Sequence, residues 1–388
     1  EKYKKDKKKS ILTLAVIFNL GILVMFKYTN FIINNINSIF NIDIYVPDIS
    51  LPIGISFFTF QALSYIIDAY REITPVQHKL VNIALYISFF PQLIAGPIIK
   101  YHEISSQLSS RTHSPELIAA GFKRFIMGLS KKLLIANVMG SIADQIFNLE
   151  PQFLNISVSW LGAMTYTLQI YFDFSGYSDM AIGLAKLFGF NIMENFNYPF
   201  IAPSIKDFWR RWHISLSTWF REYLYISLGG NRKGLKRTCI NMGIVFLCTG
   251  IWHGAAWTFI IWGLFHGFFL ILETTEIINT DKFKFKVLNY LYTLIIVVVG
   301  FTIFRAETLN TGFNMIKNMF SFFNSTYHLP LAIKSMLSPT VIVTYIIAVI
   351  GSTPIIKFIK VKLIKQNITD FHYLPALYFY IYLIFIMY

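Results

Sequence analysis

Residues 195–234 read NFNYPFIAPSIKDFWRRWHISLSTWFREYLYISLGGNRKG, and residues 239–267 read CINMGIVFLCTGIWHGAAWTFIIWGLFHG. The first stretch carries charged and aromatic side chains together with His213. The second stretch has no Asp, Glu, Lys or Arg, although it contains His253 and His266. An amphipathic segment thus leads into an apolar segment that holds two ionisable groups.

The amphipathic segment has the start and stop signals of one helix. Ser204 and Asp207 fit a capping box, and Gly229-Gly230 supplies a stop. The sequence therefore predicts a helix of about 24 residues, roughly 36 Å long. Its polar and aromatic side chains fall on opposite halves, with His213 at the boundary. Such a helix can lie in the lipid headgroup layer, but that interpretation does not account for a histidine at the boundary.

The apolar segment, residues 239–272, is longer than the ~20 residues that span a membrane, so it must be tilted or broken. The glycines expected at bends or close helix contacts are Gly250, Gly254 and Gly263. In one straight helix His253 and His266 would lie about 20 Å apart, so they share a site only if the segment folds back. A buried histidine is a functional candidate, and the alternative is a hydrogen bond across a helix pair. For His266, nearer the segment end, this alternative is favoured.

Several sequence motifs of this chain resemble those of a known protein family. DFWRRWHISLSTWFREYLYISLGGNRKG and GIWHGAAWTFIIWGLFHG resemble the membrane-bound O-acyltransferase family, in the branch of alginate O-acetyltransferase membrane proteins and relatives that act on peptidoglycan and cellulose. Other matching stretches are distributed along the chain in the family's order: LPIGISFFTFQALSYIIDAYR from Leu51, FFPQLIAGPI from Phe89, YFDFSGYSDMAIGLAKLFGF from Tyr171 and FRAETLNTGF from Phe304. The chain departs from the family phrases at Glu222, Ser227 and Ala256, where the family usually has Asp, Pro and Asn.

The resemblance implies an O-acetyltransferase that moves acetyl groups from a cytoplasmic donor, acetyl-CoA or another acetyl thioester, across the membrane for an exported polysaccharide. His253 matches the family's WHG histidine and His213 its RWH histidine, so both are candidate catalytic residues, with His266 as a secondary candidate. The resemblance further implies a separate periplasmic or extracellular SGNH-type acetyltransferase as partner, because family members usually work with one. The resemblance also implies a bacterial cytoplasmic-membrane location and further hydrophobic helices before Glu1.

Composition indicates a membrane protein. Of 388 residues, 55% are hydrophobic and 17% aromatic, while only 14% are charged, which is too apolar for an ordinary soluble domain. The net charge of +14 fits cytoplasmic loops and contact with anionic membrane lipids. Nucleic-acid binding is not expected, because the basic residues are divided between hydrophobic segments. The two cysteines suggest no disulfide framework.

Hydropathy predicts an all-α, polytopic membrane protein, a single domain over residues 1–388, with about nine to eleven helices, several of them bent or re-entrant. The predicted spans and half-spans are 11–26, 31–46, 51–69, 80–99, 117–147, 153–190, 239–272, 285–304, 331–359 and 372–388.

The positive-inside rule places one basic cluster in the cytoplasm. This cluster consists of Arg232, Lys233, Lys236 and Arg237. It is the candidate site for a coenzyme A phosphate or an acidic carrier protein. An ordinary cytoplasmic loop is the favoured alternative.

Charges inside the predicted spans need partners. For Asp173 and Asp179, pairing with Arg210, Arg211 or Arg305 is favoured over a catalytic role. The cations of residues 117–147 indicate a helix at the cytoplasmic surface. They are Lys123, Arg124, Lys131 and Lys132.

Acyl transfer from a thioester needs a base near the acceptor hydroxyl, which neutral histidine supplies. Carboxylate or cysteine partners at ligand spacing are absent around the histidines, so neither a metal nor another bound cofactor is expected. Two other classes remain open. The first is a D-alanyl transferase for teichoic acid, although LGGNR and WTFIIWG resemble the alginate branch more closely. The second is a transporter, which should show paired intramembrane charges in two repeats; only Asp173 and Asp179 qualify.

Overall fold

The computed structural model describes residues 5–93, 96–322 and 331–359. Every regular element within these ranges is helical, which confirms the all-α prediction. The first eight helices are α1 (Lys5–Lys27), α2 (Thr29–Phe40), α3 (Ile55–Tyr70), α4 (Leu80–Ile87), α5 (Tyr101–Ser109), α6 (Pro115–Ser130), α7 (Asn137–Phe147) and α8 (Ile156–Leu187). The others are α9 (Ile205–Arg211), α10 (Ile214–Phe220), α11 (Gly234–His253), α12 (Trp257–Thr274), α13 (Lys286–Arg305), α14 (Leu309–Met319), α15 (Leu331–Met336) and α16 (Pro339–Gly351).

Four helical segments in the described ranges are long and apolar enough to cross a membrane, as a multi-pass membrane protein requires. They are Lys7–Lys27, Pro115–Phe147, Trp257–Thr274 and Lys286–Arg305. The predicted spans 117–147 and 285–304 coincide with two of them. The predicted span 31–46 is only the short helix α2, which ends at Phe40. The predicted span 372–388 lies outside the described residues.

The long helix α8 packs along the segment formed by α6, a π turn and α7. Glycines allow the backbones to approach closely: a Cβ at Gly176 would lie 2.8 Å from the carbonyl oxygen of Gly128. A Cβ at Gly183 would lie 2.6 Å from the backbone nitrogen of Phe125. Close approach at small residues is the usual way in which apolar helices associate in a membrane, where the hydrophobic effect does not drive them together.

The carboxylates of α8 pair with cations of that same segment. Asp179 contacts Arg124 at 2.6 Å and Lys131 at 2.7 Å, and Asp173 contacts Lys132 at 2.5 Å. The role predicted for the two carboxylates, holding helices together, agrees with these contacts.

The predicted partners were wrong: Arg305 pairs with Asp144, and Arg211 pairs with Asp207. The physical reason is the packing of α8 on α6 and α7, which sequence spacing does not reveal. The interpretation of residues 117–147 as a surface helix stays a prediction: the segment is apolar enough to span a membrane, and Arg124, Lys131 and Lys132 pair with carboxylates of α8.

A buried carboxylate of α3 makes hydrogen bonds to α5 and to the turn after α10. Asp68, at the end of α3, has a fully buried side chain. It accepts hydrogen bonds from the hydroxyl of Tyr223, at 2.8 and 2.9 Å, and from Nδ1 of His102, at 2.7 Å. These bonds fix α5 and the turn after α10 against α3.

The apolar segment, predicted to be either tilted or broken, is broken into two helices that fold back on each other. Helix α11 ends at His253, residues 254–256 form the link, and α12 begins at Trp257. The two helices touch at glycines: a Cβ at Gly250 would overlap the carbonyl oxygen of Phe259, and one at Gly263 would overlap that of Phe246. The hairpin therefore brings the two ends of the apolar segment into one helix pair.

Gly250→Ala should destabilise the protein by about 1–3 kcal/mol, because the added methyl group must push α11 and α12 apart. The matched control is Gly243→Ala in the same helix, where a Cβ would meet nothing within 4 Å. The measurement is the melting temperature of each purified variant in one detergent. Equal melting temperatures for the two variants would contradict the close contact.

Candidate active site

The amphipathic segment is not the single helix that its capping signals predict. The N-cap hydrogen bond of the predicted capping box is present, since the Ser204 side chain accepts from the backbone N–H of Asp207 at 3.1 Å. The Asp207 carboxylate, however, accepts from Nε of Arg211 at 2.6 Å. Helix α9 then stops at Arg211, α10 begins at Ile214, and a π turn covers Arg221–Tyr225. The prediction of one straight helix is therefore wrong.

The break is at His213, whose backbone adopts a left-handed conformation with φ 44° and ψ 54°. This region is uncommon for residues other than glycine. Asn195 stabilises it: its backbone carbonyl accepts from the N–H of Ile214 at 3.0 Å. Its Oδ1 accepts from the N–H and the hydroxyl of Ser215, at 3.1 and 2.9 Å. Asn195 thus replaces the hydrogen bonds that the broken helix cannot make.

The same amide sets the tautomer of His213, which is only 1% exposed. Nδ1 of the ring lies 3.2 Å from Oδ1 of Asn195. Because that oxygen accepts from the Ser215 N–H, it must also accept from Nδ1, so Nδ1 carries the hydrogen. Nε2 then has a free lone pair, and it has no hydrogen-bond partner in the described structure.

His253 is the last residue of α11 and is half-buried. The centroid of its ring lies 6.5 Å from that of His213. The rings of Trp262 from α12 and Phe304 from α13 lie at 4.9 and 5.2 Å. The adjacent Trp252 lies at 5.0 Å. Two helix breaks therefore bring His213 and His253 together, surrounded by aromatic side chains.

His266 is close to this pair but separated from it by an indole. Its ring lies 5.4 Å from that of Trp262, which in turn contacts His253. It also stacks on Phe208 at 6.2 Å, and it is fully buried. Neither ring nitrogen has a partner in the described residues. The expected alternative for this histidine, a hydrogen bond across a helix pair, is not found there.

The basic cluster lies apart from the histidines. Arg232, Lys233 and Lys236 are exposed, and Arg237 is half-buried. Arg237 is in the first turn of α11, whereas His253 ends the helix, so the helical rise separates them by about 24 Å. The structure does not bring this cluster to the histidine pair.

Neither Asn195 nor Trp262 was predicted from the sequence as a site residue. Asn195 lies 18 residues before the histidine that it contacts, and no local motif links the two. Trp262 lies nine residues after His253, on the far side of a helix break. Among the described residues, no group of three or more His, Cys, Asp or Glu side chains is arranged to hold a metal ion.

Residues 68–315 match the family model of the membrane-bound O-acyltransferase (MBOAT) family. The chain belongs to this family. The match covers more than half of the chain and includes all three histidines, so the resemblance of the quoted phrases to MBOAT proteins is confirmed.

Several curated proteins are similar to this chain. A probable alginate O-acetylase of Azotobacter vinelandii is 48% identical over 315 residues, which are 80% of this chain and 63% of the relative. A peptidoglycan O-acetyltransferase of Helicobacter pylori is 39% identical over 338 residues, 79% of this chain and 64% of the relative. A teichoic acid D-alanyltransferase of Bacillus subtilis is 31% identical over 260 residues, 64% of this chain and 65% of the relative. The chain thus spans a little under two thirds of the length of these relatives.

Asn195→Ala should lower stability by about 1–3 kcal/mol, because buried donors on Ser215 and His213 lose their acceptor. The matched control is Asn197→Ala: this side chain is exposed, and its backbone N–H still donates to the carbonyl of Arg211 at 2.9 Å. Thermal unfolding of both purified variants is the measurement. A control that melts as low as Asn195→Ala would show that the amide does not hold the break.

Proposed function

We propose that this MBOAT protein is an O-acetyltransferase that transfers an acetyl group from a thioester donor for O-acetylation of an exported cell-surface polysaccharide. The observation that carries the proposal is the His213–His253 pair, two rings 6.5 Å apart at two helix breaks. Similarity to relatives described as an alginate O-acetylase and a peptidoglycan O-acetyltransferase supports the same reaction class.

His253 acts as the general base. A ring nitrogen accepts the proton of the acceptor hydroxyl while the hydroxyl oxygen forms a bond to the acetyl carbonyl carbon. The carbon–sulfur bond of the donor then breaks, and the departing sulfur takes the proton from the imidazolium. The half-buried position of His253 supports this role, because a base must reach a substrate as well as be held in place.

His213 orients the reacting groups. Its Nδ1–H is held by Asn195, so its free Nε2 can accept a hydrogen bond from a second hydroxyl of the acceptor or from a water, while the reacting hydroxyl gives its proton to His253. A neutral imidazole oriented by a hydrogen bond at its other nitrogen is the usual arrangement for a proton acceptor. The aromatic rings around the pair limit access of water, which would otherwise hydrolyse the thioester.

The donor is acetyl-CoA or another acetyl thioester and comes from the cytoplasm, and the protein lies in a bacterial cytoplasmic membrane. The exposed basic cluster at the start of α11 holds the donor's phosphates. Since this cluster lies about 24 Å along α11 from His253, the acetyl group reaches the base on an extended carrier arm. An SGNH-type acetyltransferase on the outer side completes transfer to the polymer.

O-acetyl transfer is favoured over D-alanyl transfer by the extent of similarity. The alginate O-acetylase relative matches 80% of the chain at 48% identity, whereas the D-alanyltransferase relative matches 64% at 31%. We therefore propose that the transferred group is acetyl rather than D-alanyl.

His253→Ala should reduce acetyl transfer by about 10²–10⁴-fold, the usual contribution of a general base. His266→Ala is the matched comparison and should have a milder effect, because Trp262 separates it from the pair. The measurement is ester-linked acetate on envelope polysaccharide in cells, together with the abundance of each variant in the membrane. Near-normal acetylation by well-expressed His253→Ala protein would remove this residue from the mechanism and leave His213 as the base.

A further inference from the structure

The last turn of a helix leaves its carbonyl oxygens without partners inside the helix. In α11 this turn carries His253, and the chain continues through Gly254 in an extended conformation. In an apolar environment each such oxygen needs a donor from elsewhere in the protein, because water is not at hand. The donors that meet this need determine how firmly the His253 backbone is held.

Two consecutive residues at the end of α1 supply these donors. The Lys27 ammonium donates to the carbonyl of Trp252 and, at 3.3 Å, to that of His253. The Tyr28 hydroxyl donates to the carbonyl of Ile251. Three consecutive carbonyls of α11 are therefore bound by a lysine and a tyrosine more than 220 residues away in the chain.

All three hydrogens of the Lys27 ammonium have hydrogen-bond acceptors at this position. Its third acceptor is the Ser56 hydroxyl at 3.0 Å, so its three hydrogens match three oxygens. Lys27 is half-buried, and in the described part of the chain it has no ion pair with a carboxylate. A lysine near the end of a span normally extends to the interface or pairs with an acid. Here the charge instead meets the negative end of the α11 dipole.

We propose that Lys27 is a positioning residue that fixes the His253 ring by holding the last turn of α11, with Tyr28 in a supporting role. The inference rests on the proposed function of His253 as the base. Since Gly254 and the link to α12 follow at once, the Lys27 contacts are what keep this turn from unwinding. The ring then stays against Trp262 and opposite His213.

A lysine that only joined α1 to α11 would have a different effect. Its removal would lower the amount of folded protein and leave the folded fraction fully active. A positioning residue lowers the activity of each folded molecule, since displacement of a catalytic group by 1 Å costs about 100-fold in rate. The reactivity of the His253 imidazole toward a small reagent should change as well.

The test uses the full chain, purified in detergent, with two readouts for each variant. The first is acetyl transfer in cells per molecule of folded membrane protein. The second is carbethoxylation by diethyl pyrocarbonate, measured by mass spectrometry as the rate at His253 relative to His213. Lys27→Met removes all three donors at similar length, Lys27→Arg keeps charge and donors, and Tyr28→Phe removes one hydroxyl. Lys8→Met, in the same helix, is the control.

Lys27→Met should lose acetyl transfer by about 100-fold and raise the relative carbethoxylation of His253 severalfold. Lys27→Arg should restore most of the acetyl transfer and most of the wild-type carbethoxylation rate of His253. Tyr28→Phe should lower acetyl transfer by about 2- to 10-fold, and Lys8→Met should match the wild type in both measurements. Wild-type carbethoxylation of His253 in folded Lys27→Met would overturn the proposal, even if transfer were lost. If Lys27→Met does not accumulate in the membrane, the Tyr28→Phe variant tests the proposal instead. A wild-type rate of His253 carbethoxylation in Tyr28→Phe would then overturn the proposal.

The two proposals fail separately. If the wild-type protein transfers no acetyl group, the proposed function fails, whereas the carbethoxylation rates still test whether Lys27 positions His253. If the wild type transfers acetate and Lys27→Met does so equally well, only the positioning role is overturned.

Discussion

Backbone hydrogen bonding at two helix breaks is the constraint on which the rest of this structure depends. In a membrane, an interrupted helix exposes carbonyl and N–H groups that water cannot satisfy, and each unsatisfied group costs several kcal/mol, roughly 2–7. The break at His213 is satisfied by Asn195, and the end of α11 is satisfied by Lys27 and Tyr28. Each break can therefore persist where a continuous helix would otherwise be favoured.

The two breaks have a common consequence, since each places a histidine at a site that a regular helix would not provide. His213 takes a left-handed backbone conformation and presents a ring whose one nitrogen is committed to Asn195. His253 ends its helix and faces Trp262 and Phe304 from the two helices that follow. Glycines at the α11–α12 contact allow the two helices of this hairpin to pack closely. The ion pairs of α8 join it to the segment formed by α6 and α7.

Local patterns predicted much of this arrangement. The length of the charge-free segment 239–272 predicted that it is tilted or broken, and Gly250 and Gly263 were expected at bends or close helix contacts. The N-cap at Ser204 was also predicted, because capping depends on residues three positions apart. The break at His213 was not, since the residue that stabilises it is distant in sequence and the capping and stop signals on either side fit one helix. The partners of Asp173 and Asp179 were missed for the same reason: an ion pair between helices depends on packing, not on spacing.

The central claim is that His213 and His253 act as one unit in acetyl transfer. It is tested most directly by comparing His213→Ala, His253→Ala and the double variant in the same acetylation measurement, each corrected for folded protein in the membrane. Residues that act as a unit in catalysis show strongly non-additive losses. The double variant should therefore lose about as much activity as the more damaging single variant. If the two losses multiply, the histidines act independently, and the account of one shared site is contradicted.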